Sequence, residues 1–117
     1  MFGLSLGEKG ELLAAQLLTK QKFVIVAKNY RCQIGEIDLV VSKGNQLCFI
    51  EVKTRTSTNF GRPAEAVGSL KQQKLRQLAL YYTAEHKYDG PISFGVVEVL
   101  YGDDIVNPEI NFIPEAF

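Results

Sequence analysis

The chain has 117 residues, of which 46% are hydrophobic and 22% are charged, and its formal net charge is zero. This length and composition predict one globular domain over residues 1–117 and exclude a disordered or collagen-like chain. The zero net charge argues against a protein that coats nucleic acid non-specifically.

Targeting signals are missing from the sequence. No apolar run approaches the roughly 20 residues of a membrane span. Glu8, Lys9 and Glu11 interrupt the region where a secretory signal would be apolar. Cys32 and Cys48 are too few for a disulfide framework. We therefore expect a cytoplasmic protein that does not contact a membrane.

The hydrophobic pattern predicts the element order α-β-β-β-α-β-β. Leucine and alanine at helical spacing indicate helices, and runs rich in β-branched residues indicate strands. The predicted helices cover Glu8–Thr19 and Ser69–Glu85, and the predicted strands cover Phe23–Ala27, Ile34–Ser42, Gln46–Thr54, Ile92–Tyr101 and Ile110–Ile113. Ser69 and Gln72 have the spacing of a capping box. The order predicts an α/β protein of the α+β kind, with a mixed sheet flanked by helices.

The charges are unevenly distributed along the chain. From Lys53 to Arg76 six basic residues stand against Glu65 alone, whereas residues 85–117 carry Lys87 against seven acids. Such a basic segment can face a phosphate backbone while the total charge stays at zero. Ordinary solvated surface charges would give the same pattern, so charge alone leaves both interpretations open.

A predicted hairpin brings acidic residues together. The pair Gly44-Asn45 favours a two-residue turn and so fixes the register of its two strands. That register sets Asp38 opposite Glu51 and Glu36 opposite Lys53. Because side chains alternate along a strand, three carboxylates and one ammonium group then share a face.

The two faces of this hairpin differ in the prediction. Ile37, Leu39 and Val41 fall on a face that is wholly apolar. Val40 and Phe49 fall on the charged face, which predicts that this face is partly covered. We expect the first helix to cover it.

The acidic cluster has the composition of a metal site. Three acids on one face repel one another unless a cation lies among them. Asp38 and Glu51 supply the oxygen ligands that Mg²⁺ or Mn²⁺ prefers. Lys53 is placed to steady a phosphate oxygen or to help deprotonate an attacking water. The alternative is a solvent-facing strand pair held by ion pairs such as Glu36–Lys53.

At these residues the chain resembles a known family. Asp followed by Glu-x-Lys on adjacent strands is the core of the PD-(D/E)XK nuclease superfamily. From about Gly7 to the last residue, the sequence resembles the YraN-like family of bacterial proteins, which is similar to the Holliday-junction resolvases. The segments that carry the resemblance are Gly10-Glu11, Ala14-Ala15, Asn29-Tyr30-Arg31, Gly35-Glu36-Ile37-Asp38, Glu51-Val52-Lys53-Thr54-Arg55, Phe60-Gly61 with Pro63, Ala66-Val67, Lys71 and Ala116-Phe117.

The resemblance implies a restriction-endonuclease-like fold with an α-β-β-β-α-β core. It also implies a Mg²⁺- or Mn²⁺-dependent endonuclease that hydrolyses phosphodiester bonds in DNA, including branched DNA. The implied site consists of the catalytic residues Glu11, Asp38, Glu51 and Lys53, the metal ligands Asp38 and Glu51, and the nucleic-acid-binding residues Arg55 and Lys71. Glu11 would reach this site from the first helix.

Two positions depart from the family pattern. Gly95 stands where the family usually has Asp, on a strand expected to border the site, and Lys22 stands where a glycine is usual. The loss of an acid, with the zero net charge, favours the alternative of a non-catalytic nucleic-acid-binding or interaction module. Tyr81 and Tyr82 leave open whether the second helix packs a homodimer or the core.

Overall fold

Two helices and five strands form the described part of the chain. The computed structural model describes residues 3–56, 67–102 and 107–117. The elements in chain order are α1 (Leu6–Lys20), β1 (Val24–Cys32), β2 (Gly35–Lys43), β3 (Gln46–Arg55), α2 (Ser69–Glu85), β4 (Ile92–Leu100) and β5 (Glu109–Ile113). The predicted α+β class and the α-β-β-β-α-β order are confirmed. The segment Phe60-Gly61 with Pro63, which carries part of the family resemblance, lies outside the described residues.

The strands form one mixed sheet in the order β1-β2-β3-β4-β5. β3 and β4 run parallel, and the other neighbours are antiparallel. α2 connects β3 to β4, because a parallel pair needs a long crossover rather than a tight turn. Within the described ranges, neither helix is long and apolar enough to cross a membrane.

The helices cover opposite faces of the sheet. The core on the α1 side contains Ala14, Leu18, Leu39, Val41 and Ile50. The core on the α2 side contains Val40, Phe49, Leu75, Leu78 and Tyr82. We expected the first helix over Val40 and Phe49, but α2 covers them. Both faces of the hairpin are apolar along most of their length, so each requires its own helix.

The hairpin register agrees with the prediction in its first half. Pairing runs from Lys43–Gln46 to Leu39–Ile50. Gly44 adopts a φ of 61° in the turn, which glycine reaches at no steric cost. The two-residue turn therefore sets the register of the strands that carry the candidate site.

The hairpin opens at Asp38. Here the side-chain carboxylate, in place of a backbone carbonyl, accepts the N–H of Val52 at 2.8 Å. The pairing of β2 with β3 ends at Leu39–Ile50, so the predicted opposition of Glu36 and Lys53 is not part of the observed register; Glu36 instead forms an ion pair with Arg31 of β1. Of the side chains that we placed on one charged face, Glu36 thus contacts β1, whereas Asp38 contacts β3.

The alternation of side chains also breaks here. Ile37 packs in the α2-side core and not with Leu39 on the α1 side, as its position in a regular strand predicted. In the neighbouring β1 the register shifts between Ile25 and Ala27, and Asn29 has a left-handed φ of 52°. These irregularities interrupt the period of two, which explains why the predicted first strand ended too early.

The start of α2 differs from the prediction. The helix begins at Ser69, but its N-cap is Gly68, and the predicted capping box at Ser69 and Gln72 is wrong. The Gln72 side chain donates instead to the carbonyl of Val67. A capping box is found on α1, where Ser5 is the N-cap. The N-terminus of α2 thus has no side chain at its N-cap.

The two tyrosines of α2 have different surroundings. Tyr82 is 4% exposed and packs edge-on against Tyr30 and Phe49. Tyr81 is 49% exposed. Core packing is therefore confirmed for Tyr82, and a homodimer stays a prediction.

Candidate metal and nucleic-acid site

The carboxyl groups of Asp38 and Glu51 meet where β2 and β3 separate. Glu51 lies on the central strand β3 and is buried, and its carboxyl group is in hydrogen-bonding contact with that of Asp38. Burial and this hydrogen bond raise the pKa of Asp38 to about 7, although the N–H of Val52 lowers it. Two carboxyl groups this close hold a proton between them more readily than two charges.

Lys71 brings a positive charge to this acid pair. Its Nζ lies 3.3 Å from Oε2 of Glu51. Lys71 belongs to the first turn of α2, so it approaches Glu51 from the α2 side of the sheet. The structure therefore brings together three of the residues implied by the resemblance: Asp38, Glu51 and Lys71.

Lys53 and Arg55 continue the same face of β3. Glu51, Lys53 and Arg55 are alternate residues of this strand, so their side chains point to the same side of the sheet. The parallel register sets Lys53 beside Glu98 of β4. Nε of Arg55 lies 3.4 Å from Oε2 of Glu98. Lys53 is thus next to the acid pair, whereas Arg55 is turned toward a second carboxylate.

Glu98 is a buried acid next to the candidate site that was not among the predicted site residues. It is 0% exposed, and burial raises the pKa of its carboxyl group while the Arg55 charge lowers it. The signal in the sequence was a single acid within the apolar run of residues 94–100. A buried acid of this kind needs a counter-charge.

Glu11 lies at the border of the acid pair. Burial and the charge of Glu36 raise the pKa of Glu11, and a hydrogen bond from the Asn29 side chain lowers it. The charge of Glu11 in turn raises the pKa of Asp38. Glu11 also lines a cavity of about 190 Å³ between α1 and the β1–β2 strands. It is therefore close enough to interact with the pair, while its hydrogen-bond partner is Asn29.

Asn29 belongs to one of the segments that carry the family resemblance, and no feature of the sequence predicts it as a site residue. Its left-handed backbone is one that Asn tolerates better than most residues. The bend turns its side chain to Glu11 of α1. Neither the bend nor this contact could be deduced from the strand pattern.

Gly95 is not a missing acid of this site. It pairs with Ile50 of β3 and is buried on the α1 side of the sheet, the face opposite to Glu51. A Cβ atom on Gly95 would stand 3.0 Å from Ile50 and 3.0 Å from Phe112. The strand β4 thus borders β3 and Glu51, as expected, whereas position 95 itself lies on the other face of the sheet.

The donor set fits an open site for a hard cation. Among residues 3–56, 67–102 and 107–117, no group of three or more His, Cys, Asp or Glu side chains forms a metal cage. The carboxyl pair of Asp38 and Glu51 provides two oxygen-bearing groups. Mg²⁺ is usually bound by one or two carboxylates together with waters and substrate phosphate, so a closed cage is not required.

The chain is similar to many bacterial proteins of one family. The family model described as "Uncharacterised protein family UPF0102" matches residues 10–99. A UPF0102 protein of Caldanaerobacter subterraneus is 44% identical over 115 residues, which cover 97% of this chain and 94% of the relative. A UPF0102 protein of Geobacter metallireducens is 40% identical, covering 97% and 92%. One of Nocardia farcinica is 48% identical over 99 residues, covering 82% and 76%. The chain therefore belongs to the UPF0102 family.

Proposed function

We propose that this protein is a metal-dependent endonuclease that hydrolyses phosphodiester bonds in DNA. The observation that carries the proposal is the contact between the Asp38 and Glu51 carboxyl groups, with Lys53 and Lys71 on the same side of the sheet. Paired carboxylates beside lysines suit a reaction in which a phosphate must be bound and a water activated.

Asp38 and Glu51 would hold Mg²⁺ or Mn²⁺. The raised pKa of Asp38 supports this, because it reflects a buried carboxyl group next to Glu51 that, among the described residues, lacks a compensating positive charge, which a cation would supply. The bound ion would supply charge neutralisation at the phosphate and a more acidic water. Lys53, on the same face, would hold a phosphate oxygen or take part in the deprotonation of the water.

The other implied residues would bind or orient the substrate. Lys71 and Arg55 lie on the same side of the sheet as Glu51 and would contact the phosphate backbone. Glu11 would contribute a further carboxylate from α1. A DNA substrate, including branched DNA, follows from the resemblance to resolvases and from the basic segment between Lys53 and Arg76, of which Arg62 lies outside the described residues.

The proposal is tested by cleavage of a panel of single-stranded, duplex and four-way branched DNA with Mg²⁺ or Mn²⁺. We expect cleavage of at least one substrate, its loss with EDTA, and a fall of about 100-fold or more in Asp38→Ala. Asp89→Ala changes an exposed acid in the α2–β4 connection and should cut like the wild type. Equal cleavage by Asp38→Ala and the wild type would contradict the assigned site.

The alternative is a module that binds nucleic acid without cutting it. Its two supports are the zero net charge and the absence of an acid at position 95, which lies on the face of the sheet opposite to Glu51. Metal-independent binding to the same DNA panel, without cleavage by the wild type, would favour this alternative.

A further inference from the structure

The ion pair between Lys71 and Glu51 occupies a carboxylate that we propose as a cation ligand. The Lys71 ammonium lies 3.3 Å from Oε2 of Glu51, one of the two oxygens that this carboxylate offers to a metal. The Glu51 side chain is 10% exposed, whereas that of Lys71 is 42% exposed. The carboxylate is thus fixed in the sheet, and the ammonium sits on a mobile stem that can exchange it for water.

We propose that Lys71 is an exchangeable counter-ion of the acid pair. It neutralises Glu51 when no divalent cation is bound, and it moves to a substrate phosphate when a cation takes the Glu51 oxygen. This inference rests on the proposed function, because it assumes that Asp38 and Glu51 bind a divalent cation.

The competition follows from the charges. An ammonium and a divalent cation at the same carboxylate oxygen repel each other, so one must leave before the other binds fully. Lys71 therefore weakens cation binding in the absence of DNA. A half-exposed ion pair contributes about 0.2–1 kcal/mol, which corresponds to an effect of up to about fivefold on the dissociation constant.

The Lys71 ammonium lies near the N-terminus of α2, where a phosphate group would also be bound. Lys71 lies in the first turn of α2, which contains no acidic residue, and the N-cap Gly68 has no side chain. The positive end of the helix dipole and the released ammonium thus favour an anion at the same place. Cation binding and phosphate binding would then strengthen each other through one lysine.

The first arm of the test is calorimetric titration of Mn²⁺ into the full chain without DNA. Lys71→Met should bind Mn²⁺ about two- to fivefold more tightly than the wild type, because the competing ammonium is gone. Lys71→Arg keeps the charge and should stay near the wild type. Lys74→Met, one turn further along α2, is the matched control and should leave the dissociation constant unchanged.

The second arm measures the affinity for a short DNA duplex with and without Ca²⁺, which replaces Mn²⁺ to slow hydrolysis. Ca²⁺ should increase the affinity of the wild type, and this increase should be smaller in Lys71→Met and unchanged in Lys74→Met. Lys71→Gln repeats both arms with a polar side chain, and circular dichroism verifies that each variant is folded.

The possible failures can be told apart. Mn²⁺ affinity of Lys71→Met equal to or weaker than that of the wild type would overturn the counter-ion role and leave the proposed function standing. A wild type that binds Mn²⁺ no better than Asp38→Ala would overturn the proposed metal site, and the inference with it.

Discussion

Gly10 of α1 lies so close to Thr54 of β3 that a Cβ atom on residue 10 would stand 2.0 Å from the Thr54 hydroxyl oxygen. α1 and β3 can pack this closely at Gly10 only because glycine has no side chain. Glu11 is the next residue of the same helical turn. The close approach of α1 to β3 is thus found directly beside Glu11, whose charge raises the pKa of Asp38.

Gly10→Ala should lower the free energy of unfolding by up to about 2 kcal/mol. Overpacking costs about 1–3 kcal/mol, and the gain in helix propensity offsets only about 1 kcal/mol of it. Gly7→Ala is the matched control on the same helix, because its Cβ would meet only Ser5 Oγ at 3.8 Å. This control should gain about 0.5–1 kcal/mol. Urea denaturation measures both, and an equal gain in the two variants would contradict the close approach.

Each helix is followed, directly after its C-cap residue, by a lysine with a left-handed backbone. Lys22 after α1 has a φ of 75°, and Lys87 after α2 has a φ of 52°. At each end the next residue donates its N–H back to a carbonyl of the last helical turn, from Phe23 to Leu18 and from Tyr88 to Thr83, as in a Schellman motif. Glycine is the residue best suited to this conformation, because it has no Cβ atom.

Lys22→Gly and Lys87→Gly should each raise the free energy of unfolding by about 0.5–1 kcal/mol. Removal of the Cβ relieves the left-handed strain, and the greater freedom of glycine in the unfolded chain offsets part of the gain. The two sites are at different helix ends, so their effects should add. Lys9→Gly, within α1, should instead cost about 1 kcal/mol. Thermal or urea unfolding that shows loss at positions 22 and 87 would contradict the cap assignment.

Much of the fold could be predicted from the sequence because its signals are periodic. The helix Ser69–Glu85 and the hairpin turn at Gly44 were predicted with their observed bounds. Helical spacing and a two-residue turn are local features, so no knowledge of the tertiary contacts is needed. The contact of Asp38 with Glu51 followed from the same register.

The rest of the site depends on departures from periodicity. The face of Ile37 and the partner of Glu36 were wrong, because β2 leaves the ladder at Asp38, where a side chain replaces a backbone acceptor. The bend at Asn29 and the close approach of Gly10 are single-residue events with no repeating pattern. Their effect depends on an element that is distant in the sequence.

The ion pair of Arg55 and Glu98 should be important for stability. Arg55→Met leaves the fully buried Glu98 without that counter-charge, and we expect a loss of about 3 kcal/mol or more in the free energy of unfolding. Glu98→Gln in the same chain should restore most of this loss, because a neutral amide tolerates burial better than a carboxylate. Urea denaturation of the two single variants and the double variant gives the coupling. A double variant as unstable as Arg55→Met would contradict the expectation.

Asp38 should make stability depend on pH. Its pKa is raised to about 7 in the folded chain, against about 3.9 when unfolded. Between these values the folded chain holds about one proton that the unfolded chain has lost, so the free energy of unfolding decreases as pH rises from about 4 to 7. Asp38→Asn should flatten this slope in urea denaturation at pH 4.5, 5.5, 6.5 and 7.5. Parallel slopes in variant and wild type would show that Asp38 does not hold the proton.

Lys53→Met tests the proposed chemistry most directly. Lys53 is half-buried on β3 beside the acid pair, and Met keeps the length of its stem, so the fold should be retained. We expect the single-turnover cleavage rate to fall by about 100-fold or more, since the lysine would act on charge that develops in the transition state.

The same variant should bind DNA almost as well as the wild type, because one phosphate contact among several contributes little to ground-state affinity. Rate and affinity are therefore measured on one preparation, with DNA binding determined in Ca²⁺. Lys20→Met, at the exposed end of α1, is the control and should change neither quantity. Addition of Mn²⁺ should stabilise Lys53→Met against urea, because Asp38 and Glu51 have then lost the positive charge of Lys53 and keep only that of Lys71. If Lys53→Met cuts at the wild-type rate, Lys53 has no part in catalysis. A parallel loss of rate and affinity would mean that it serves mainly to bind DNA.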